Sequence, residues 1–501
     1  MVYSCQSLVG IVDNEPRLSR KYRDFMISGG MRVIATRFFS LLYTYIVARL
    51  IVKDEMDILV ILASTQMILV LFSTYGLRFS AVHFGLGKHR VEGGTALPFQ
   101  VTLYVGLPSM LLLTEVVVIL MELAFGQASV FHPLMADSGL HLAFLFSNAM
   151  AILLEGITKV QVALLNVDKE AGLRALYSVT NSIFVPLAYY IQPGVTSVVW
   201  TWGILMALTT AAGIWILPDR KSLVRIRAHE IWKIIRFGFA YNLTSVLVVF
   251  SGYYDQFIIA LNFDPGVLTD YYWPQRIALI GTEVFAVVMT GLFPLLTKLE
   301  AEHGKEVAIK RFRVMYKLIA YGASIFFTGL LVTSDLAVHL LLGDNYAASV
   351  EYLQLFAVMA WFQSINQLLR IRLNAYGSRR LVVYTDLLAA FTRMLLLTLA
   401  SFLSIEALIM ARILTFMVIS TYILSFRNFV GIGWKYTGWY LLIGTIHFMI
   451  GYGLTLWIAN VWIRIGIGLL VTFFSVGMAL KFKFIGREER LLIRRIIDRR
   501  V

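Results

Sequence analysis

The chain has very little of what a soluble enzyme or a disulfide-stabilised domain needs. A single cysteine, Cys5, in 501 residues excludes an intramolecular disulfide and a cysteine-based metal site. Charged residues make up only 15% of the chain, against about a quarter in soluble proteins, whereas 59% of the residues are hydrophobic. Compact cores do not hold so many apolar residues. These shortages exclude a soluble enzyme and a disordered chain, and they indicate a protein that crosses a bilayer many times.

Signatures of catalysis and of nucleotide binding are also missing. The chain contains no G-x-x-x-x-G-K-[ST] motif, and its predicted loops are too short for a catalytic or nucleotide-binding domain. The histidines His83, His141, His339 and His447 have no metal-ligand spacing, and their polar surroundings explain them more simply than a proton relay does. We therefore expect no enzymatic activity, no cofactor and no metal site.

Long apolar segments follow one another along the chain. A bilayer core about 30 Å thick needs about 20 mostly apolar residues per helix, and fourteen segments meet that requirement. The predicted spans are 25–51, 56–80, 96–122, 139–163, 173–191, 195–217, 237–262, 268–297, 312–337, 348–371, 378–403, 405–425, 437–459 and 461–481. The predicted fold class is therefore an all-α polytopic membrane protein with about 14 transmembrane helices.

The basic residues behind the net charge of +14 are distributed unevenly between the two predicted sides of the membrane. If the N-terminus is cytoplasmic, about three quarters of the 44 Lys and Arg residues fall in inner loops and tails. This asymmetry predicts that both termini lie inside, in a cytoplasmic (inner) membrane. It also argues against nucleic acid as a binding partner, because the basic residues are explained by membrane orientation. The segments 220–236 and 481–501 mix Arg and Lys with Ile, Leu and Trp, so we expect amphipathic helices on anionic lipids.

Two halves of the chain echo each other. Leu165-Asn166 recurs as Leu373-Asn374, and Ile46-Val47-Ala48 resembles Ile258-Ile259-Ala260, at an offset of about 210 residues in each case. Because six spans separate the halves, they have the same orientation, which predicts two six-helix bundles related by a parallel repeat plus two C-terminal helices. The predicted organisation is an N-terminal cytoplasmic tail (1–24), a bundle (25–217), a basic amphipathic linker (218–236), a second bundle (237–425), helices 13 and 14 (437–481) and a basic tail (482–501).

A few charged residues fall inside the predicted spans. A charge at the bilayer centre costs about 2.5–3.5 kcal/mol on insertion scales, so such groups face water or a partner. Arg37 and Arg276 are the strongest candidates for a polar cavity, and Asp255 is a plausible countercharge. Arg32 is a further cation of the first span. Arg49, by contrast, lies near a span end, where its side chain can reach the interface.

One acid–base pair is ambiguous. Glu155 and Lys159 are four residues apart in the fourth span, so they lie on one helix face. The spacing fits a structural ion pair as well as it fits a site in the cavity.

Four segments resemble a known family. They are TRFFSLLYTYIVARLIV (36–52), STYGLRFSAVHF (73–84), YYWPQRIALI…GLFPLLTKL (271–299) and HLLLGDNYAASVEYLQLFAVMAWFQSINQLLRIRLNAYG (339–377). In their order, they are similar to segments of the polysaccharide-export flippases of the multidrug/oligosaccharidyl-lipid/polysaccharide exporter superfamily. Arg37 and Arg276 match arginines of the related lipid II flippases, whereas Tyr43-Thr44 stands where those proteins have an Arg-Asp pair. That departure argues against a peptidoglycan precursor.

The resemblance implies a flippase for polyprenyl-diphosphate-linked oligosaccharides, working by alternating access in surface or exopolysaccharide biosynthesis. It also implies a polysaccharide polymerase and glycosyltransferases as pathway partners. Two alternatives stay open. A multidrug or cation antiporter of the same superfamily usually has twelve spans and an acid-rich cavity. A membrane glycosyltransferase or glycan polymerase commonly has a large outer loop with catalytic acids or arginines, whereas the loop 123–138 has Asp137 and no Arg.

Overall fold

The computed structural model describes residues 38–75, 97–125, 132–164, 167–217, 228–376, 379–426 and 432–481. All regular secondary structure in these residues is helical. In chain order the α-helices are α1 Phe38–Leu50, α2 Lys53–Ser73, α3 Leu97–Val101, α4 Leu107–Phe125, α5 His132–Ala136, α6 Ser138–Ala163, α7 Val167–Ile191, α8 Val195–Trp215, α9 Ala228–Asn262, α10 Val267–His303, α11 Lys305–Val332, α12 Ser334–Leu341, α13 Ser349–Tyr376, α14 Arg379–Ala400, α15 Ile405–Ser425, α16 Trp434–Trp457 and α17 Val461–Lys481.

Each of the fourteen predicted spans contains a helix. Within the described residues, nine helical segments are long and apolar enough to cross a membrane: Lys53–Ser73, Pro98–Leu123, Ser138–Gln161, Val195–Trp215, Asn242–Asn262, Lys305–Val332, Arg380–Ala400, Ile405–Ser425 and Thr437–Trp457. The shorter apolar helices are Phe38–Leu50 and Val461–Phe473. The predicted all-α, multi-pass membrane fold is confirmed.

The third predicted span is not a regular α-helix. A π-helical turn, Thr102–Gly106, separates α3 from α4, and Pro108 follows it in the first turn of α4. Proline has no N–H and its ring crowds the carbonyl four residues earlier, so a wider turn before it relieves the conflict. The Thr102 side chain packs against Gly156 of α6, where a Cβ would overlap it. This contact seats the irregular turn on α6.

Several helices differ from the predicted boundaries, and two of these differences change the predicted organisation. The linker 218–236 was expected to form its own surface helix, but α9 runs without interruption from Ala228 to Asn262. Residues 228–236 contain no proline, so nothing stops the helix before the apolar run begins. The predicted span 312–337 ends earlier, at Val332, and the short helix α12 follows it.

The chain divides into two compact units, Met1–Tyr272 and Trp273–Val501. In the first unit α8 packs closely on α6, and a Cβ at Gly203 would lie 2.5 Å from the Phe146 ring. In the second unit α13 packs on α11 and α15, and α11 packs on α16. Trp361 of α13 is buried there and lies 5.3 Å from the Phe448 ring of α16. Each unit therefore has a helical core of its own.

Candidate functional site

A carboxylate of α2 caps the start of α10. Asp57 accepts backbone N–H bonds from Gly266, at 2.6 Å, and from Thr269, at 2.7 Å, and it also accepts the Thr269 hydroxyl. The first N–H groups of a helix have no partner within the helix, and their dipoles favour a negative charge. Gly266 has a φ of +86°, a conformation that favours glycine. Asp57 therefore fastens the α9–α10 turn to α2, at the end that the charge pattern puts outside.

Further polar bonds surround this cap. Lys53 Nζ lies 2.6 Å from Asp270 Oδ1, and the hydroxyl of Thr269 donates to the backbone carbonyl of Lys53 at 3.0 Å. On the other side of α2, the Tyr189 hydroxyl donates to Glu55 at 2.8 Å. The first two turns of α2 are thus tied to α7 and α10 by charged and hydroxyl groups, which water can replace when helices separate.

We expect Asp57→Ala to lower the free energy of unfolding by about 1 kcal/mol, as the loss of a helix cap does. The uncapped N–H groups of Gly266 and Thr269 would then need water at this end of the unit. Thermal unfolding of the detergent-solubilised protein measures the effect. Asp54→Ala is the matched control, because Asp54 is an exposed acid of the same turn. Equal stability of the two variants would contradict the assignment of Asp57 as the cap.

A chain of buried amides and hydroxyls crosses the middle of the first unit. Gln66 of α2 donates to Ser147 at 2.8 Å and to Asn148 at 3.0 Å, both on α6. Asn148 donates in turn to Thr114 of α4 at 3.0 Å. All four side chains are buried, so these bonds are strong in an apolar medium and fix the packing of three helices.

Asp255, the predicted countercharge, is fully buried in α9 and accepts a hydrogen bond from the Tyr271 hydroxyl of α10. The next residue of α9, Gln256, accepts a hydrogen bond from the Ser64 hydroxyl of α2. The sequence pointed to Asp255 by its position within an apolar run, but it did not identify Tyr271 as its partner. Asp255 belongs to the first unit.

Glu155 and Lys159 are paired with each other, and Glu155 has a second cation. Glu155 Oε1 lies 2.7 Å from Lys159 Nζ, and Glu155 Oε2 lies 3.1 Å from Arg174 Nη2 of α7. Arg174 also contacts Glu170, with Nε 2.5 Å from Oε1. Two acids and two bases thus form a balanced network that joins α6 to α7.

A double-mutant cycle separates a structural role of this network from substrate contact. We expect Glu155→Gln to lower the free energy of unfolding by about 1–3 kcal/mol, because it removes the carboxylate that Lys159 and Arg174 share and leaves Arg174 with Glu170 alone. Lys159→Met in the same chain should recover at least half of that loss, as measured by thermal unfolding.

Glu170→Gln is the control for the cycle, since its partner Arg174 is half exposed and such pairs contribute less than about 1 kcal/mol. If the double variant regains stability but transport stays lost, Glu155 and Lys159 belong to the cavity.

The second unit contains several deep arginines. Arg276 lies half-buried in α10, two residues after Pro274 and between the buried Gln275 and Ile277. Arg372 is fully buried, with its guanidinium carbon 5.7 Å from the centre of the Phe312 ring. Arg372 lies just beyond the predicted span 348–371, so its burial was not expected from the sequence; α13 extends five residues beyond that span.

Two more arginines lie at matching heights in neighbouring helices. Arg393 of α14 has its guanidinium carbon 5.4 Å from the Phe416 ring centre, and Arg412 of α15 is buried. Each is seven residues, about 10 Å, from the α14–α15 turn. Arg370 of α13 pairs with Asp386 of α14, closer to the opposite end of α14.

Asp137, the acid of the loop 123–138, is held by hydrogen bonds from neighbouring residues. The Thr196 hydroxyl donates to Asp137 Oδ2 at 3.0 Å, and the Gly139 backbone N–H donates to Oδ1 at 2.8 Å. These hydrogen bonds hold the pKa of the Asp137 carboxyl below its ordinary value. Asp137 thus caps α6, a role that does not need a catalytic acid.

Arg32 and Arg37 lie outside the described residues, so their positions stay predictions. Among the residues that the structure describes, no group of three or more His, Cys, Asp or Glu side chains is arranged to hold a metal ion.

Known proteins resemble the chain in sequence pattern and in fold. The family model described as "Polysaccharide biosynthesis protein" matches residues 46–351. No curated protein matches the sequence. The lipid II flippase MurJ, in an inward closed conformation, superposes with a TM-score of 0.71 at 13% identity, covering 92% of this chain and 100% of its own.

Two multidrug transporters share the fold less closely. An inward-facing MATE family transporter of the MOP superfamily gives a TM-score of 0.57 at 12% identity, over 83% of this chain and 96% of its own. A mutant of the Vibrio cholerae MATE transporter VcmN gives 0.53 at 15% identity, over 82% and 97%. With the fold of the MOP superfamily and a family model over more than half of its length, the chain belongs to the polysaccharide biosynthesis protein family.

Proposed function

We propose that the chain is a flippase that moves polyprenyl-diphosphate-linked oligosaccharides from the cytoplasmic to the outer leaflet. The observation that carries the proposal is the family match over residues 46–351, because it ties a multi-pass membrane chain to polysaccharide biosynthesis. The fold of a lipid II flippase supports it, since that protein is named for a lipid-linked cargo. The loops of the described residues leave little room for an enzymatic domain.

The chemistry of the cargo fits the intramembrane cations. A diphosphate headgroup carries negative charge, and a planar guanidinium binds such oxyanions through two parallel hydrogen bonds. Arg37 and Arg276 are the proposed headgroup ligands, with Arg32 as an additional cation. Asp255 is the proposed countercharge when the cargo is absent. For Glu155 and Lys159 the closed network with Arg174 favours a structural role in joining α6 to α7.

Alternating access requires a reversible closure at each end, and the Asp57 cap supplies one for the outer end. Its bonds to Gly266 and Thr269 join α2 to the start of α10, the helix that also carries Arg276. When these bonds exchange for water, α10 can separate from α2. We propose this exchange as the opening step on the outer side.

The cargo differs from lipid II in this proposal. Tyr43 and Thr44, which stand in place of an Arg-Asp pair, are both buried, and the Thr44 hydroxyl donates to the carbonyl of Ser40 at 2.9 Å. Two buried, neutral side chains do not supply the charges that would bind a charged headgroup. Another lipid-linked oligosaccharide is therefore the proposed substrate.

The setting follows from the same reasoning. We place the chain in the cytoplasmic (inner) membrane with both termini inside, in contact with anionic lipids, where polysaccharide polymerase and glycosyltransferases of the same pathway would supply and consume the cargo. The basic residues of the inner loops support this orientation.

A multidrug antiporter is the second candidate, and the shared fold with MATE transporters favours it. The number of helices and the deep arginines of α10, α14 and α15 are against it, because cationic drugs need acidic cavities. Depletion of the protein in its own cell separates the candidates. The flippase proposal expects lipid-linked oligosaccharide to accumulate on the inner leaflet with unchanged drug sensitivity. Drug hypersensitivity with normal glycan export would overturn it.

A further inference from the structure

α7 has an apolar face and a polar face. The helix is 25 residues long, enough to cross a bilayer, but it is not among the nine segments of the described residues that are apolar enough to do so. Most of its exposed large hydrophobic side chains recur at spacings of seven, four and three, which is one stripe of an α-helix: Leu176, Ile183, Leu187 and Tyr190. This stripe suits contact with hydrocarbon.

The polar face of α7, opposite that stripe, carries three neutral residues, Tyr177, Ser178 and Asn181. They lie within about 6 Å along the helix axis, and each is half-buried in the first unit. Arg174, one turn before them, already has carboxylate partners. A polar group without a partner costs several kcal/mol in hydrocarbon, so such groups are not placed against lipid tails. The polar face therefore meets water or a polar ligand.

The side chains of this face have hydrogen-bonding capacity that the chain does not use. The Oδ1 atom of Asn181 is shielded from solvent, yet it accepts no hydrogen bond within the part of the chain that the structure describes. In the same residues, the Tyr177 and Ser178 side chains form none either; only their backbone carbonyls accept bonds, from Thr180 and Ser182. Thr180 differs, because its hydroxyl is bonded within its own helix.

The donors and acceptors of the polar face match sugar hydroxyls better than phosphate. The Asn181 amide can accept hydrogen bonds at its oxygen and donate two, and the hydroxyls of Tyr177 and Ser178 can do either. Each sugar hydroxyl is likewise a donor and an acceptor, so neighbouring hydroxyls can satisfy an amide. A diphosphate offers only acceptors and negative charge, for which a guanidinium is the better partner. The Tyr177 ring adds an apolar surface beside its polar tip.

We propose that Tyr177, Ser178 and Asn181 form a binding site for hydroxyl groups of the transported oligosaccharide. The site rests on the proposed flippase function and deepens it, because it assigns the sugar part of the cargo to α7 while the arginines take the diphosphate. Few and well-placed polar groups of this kind orient a ligand and select it. The three side chains lie close enough together to contact one sugar residue.

The test measures binding of two lipids to the purified full chain in detergent. One is a polyprenyl diphosphate bearing a neutral trisaccharide, and the other is the same polyprenyl diphosphate without sugar. The wild-type protein should bind the glycolipid about tenfold more tightly or better. Asn181→Leu should weaken glycolipid binding about tenfold and leave binding of the sugar-free lipid within about twofold, since only hydrogen bonds to sugar are lost. Ser178→Ala and Tyr177→Phe should each weaken glycolipid binding about threefold.

Thr180→Val is the matched control, one residue away from Asn181. It removes a hydroxyl that is bonded to the carbonyls of Leu176 and Tyr177, so both affinities should stay within about twofold of wild type. Thermal unfolding separates binding from a structural role. Because the Asn181 amide has no hydrogen-bond partner in the described residues, Asn181→Leu should keep or raise the midpoint of unfolding.

The outcomes distinguish failure of the site from failure of the proposed function. Equal affinity of wild type for the two lipids overturns the sugar site alone, and so does an Asn181→Leu variant that weakens both lipids equally or weakens neither. A lower midpoint of unfolding for Asn181→Leu assigns that residue to packing and overturns its role in the site. A wild-type protein that binds neither lipid overturns the proposed function and this site with it.

Discussion

Replacing Arg37 and Arg276 together by Gln should reduce transport of lipid-linked oligosaccharide at least 100-fold while the protein still inserts. Charge-assisted hydrogen bonds contribute about 1.5–3 kcal/mol each, so losing two removes about 3–6 kcal/mol of headgroup binding. Since about 1.4 kcal/mol corresponds to a factor of ten, this loss spans roughly two to four orders of magnitude. The single variants should each lose about tenfold or more. Transport into liposomes, normalised to the amount of inserted protein, is the measurement.

Arg311→Gln is the matched control for this experiment. Arg311 is an exposed arginine at the start of α11, and its loss removes the same charge without touching a span interior. Arg37→Lys with Arg276→Lys should retain more activity than the Gln pair, since charge is kept while geometry is lost. Full transport by the Gln double variant, at a normal protein level, would contradict the cavity assignment.

Gly444→Val should strongly destabilise the second unit. A Cβ added at Gly444 of α16 would overlap the six-membered ring of Trp361 in α13, which is buried and packed on Phe448. Overpacking a tight core costs about 1–3 kcal/mol, and more where an indole ring cannot move. We expect the midpoint of thermal unfolding to fall by roughly 5 °C or more, with a lower yield of folded protein.

Gly438→Ala is the control for this prediction. A Cβ at Gly438, on an exposed face of the same helix, meets nothing within 4 Å. Alanine there should be neutral or stabilising by up to about 1 kcal/mol, because it favours the helix. If Gly444→Val and Gly438→Ala unfold at the same temperature, α16 does not pack on α13 as described.

The helices could be predicted because the thickness of the bilayer core sets how long an apolar helix must be. A run of about 20 apolar residues must cover the bilayer core, and predicted spans such as 405–425 coincide with the helix of the structure. Boundaries were less predictable where helices continue into water. Ala228–Asn262 extends its span by nine residues on the basic side, since the bilayer does not decide where a helix stops once its residues favour helix.

The candidate site was only partly predictable from sequence. An ionisable residue in an apolar run stands out, which is how Asp255, Glu155 and Lys159 were found. Their partners Tyr271 and Arg174 could not be identified, because a pairing between helices depends on rotation and tilt. The Asp57 cap was missed for a related reason. Asp54 and Glu55 lie in the predicted loop and Asp57 at the start of the predicted span 56–80, and no local pattern shows which of these three acids meets the start of α10.

The central claim is that this chain moves an anionic glycolipid headgroup across the membrane. The most direct test is a leaflet assay with purified protein in liposomes of defined lipid, using a polyprenyl-diphosphate-linked oligosaccharide whose sugar is accessible to an impermeant enzyme only on the outer leaflet. We expect all of the sugar to become accessible with the wild-type protein, and about half of it without protein or with the Arg37→Gln, Arg276→Gln variant. If the sugar on the inner leaflet stays inaccessible with wild-type protein, as it does in empty liposomes, the proposed transport is contradicted.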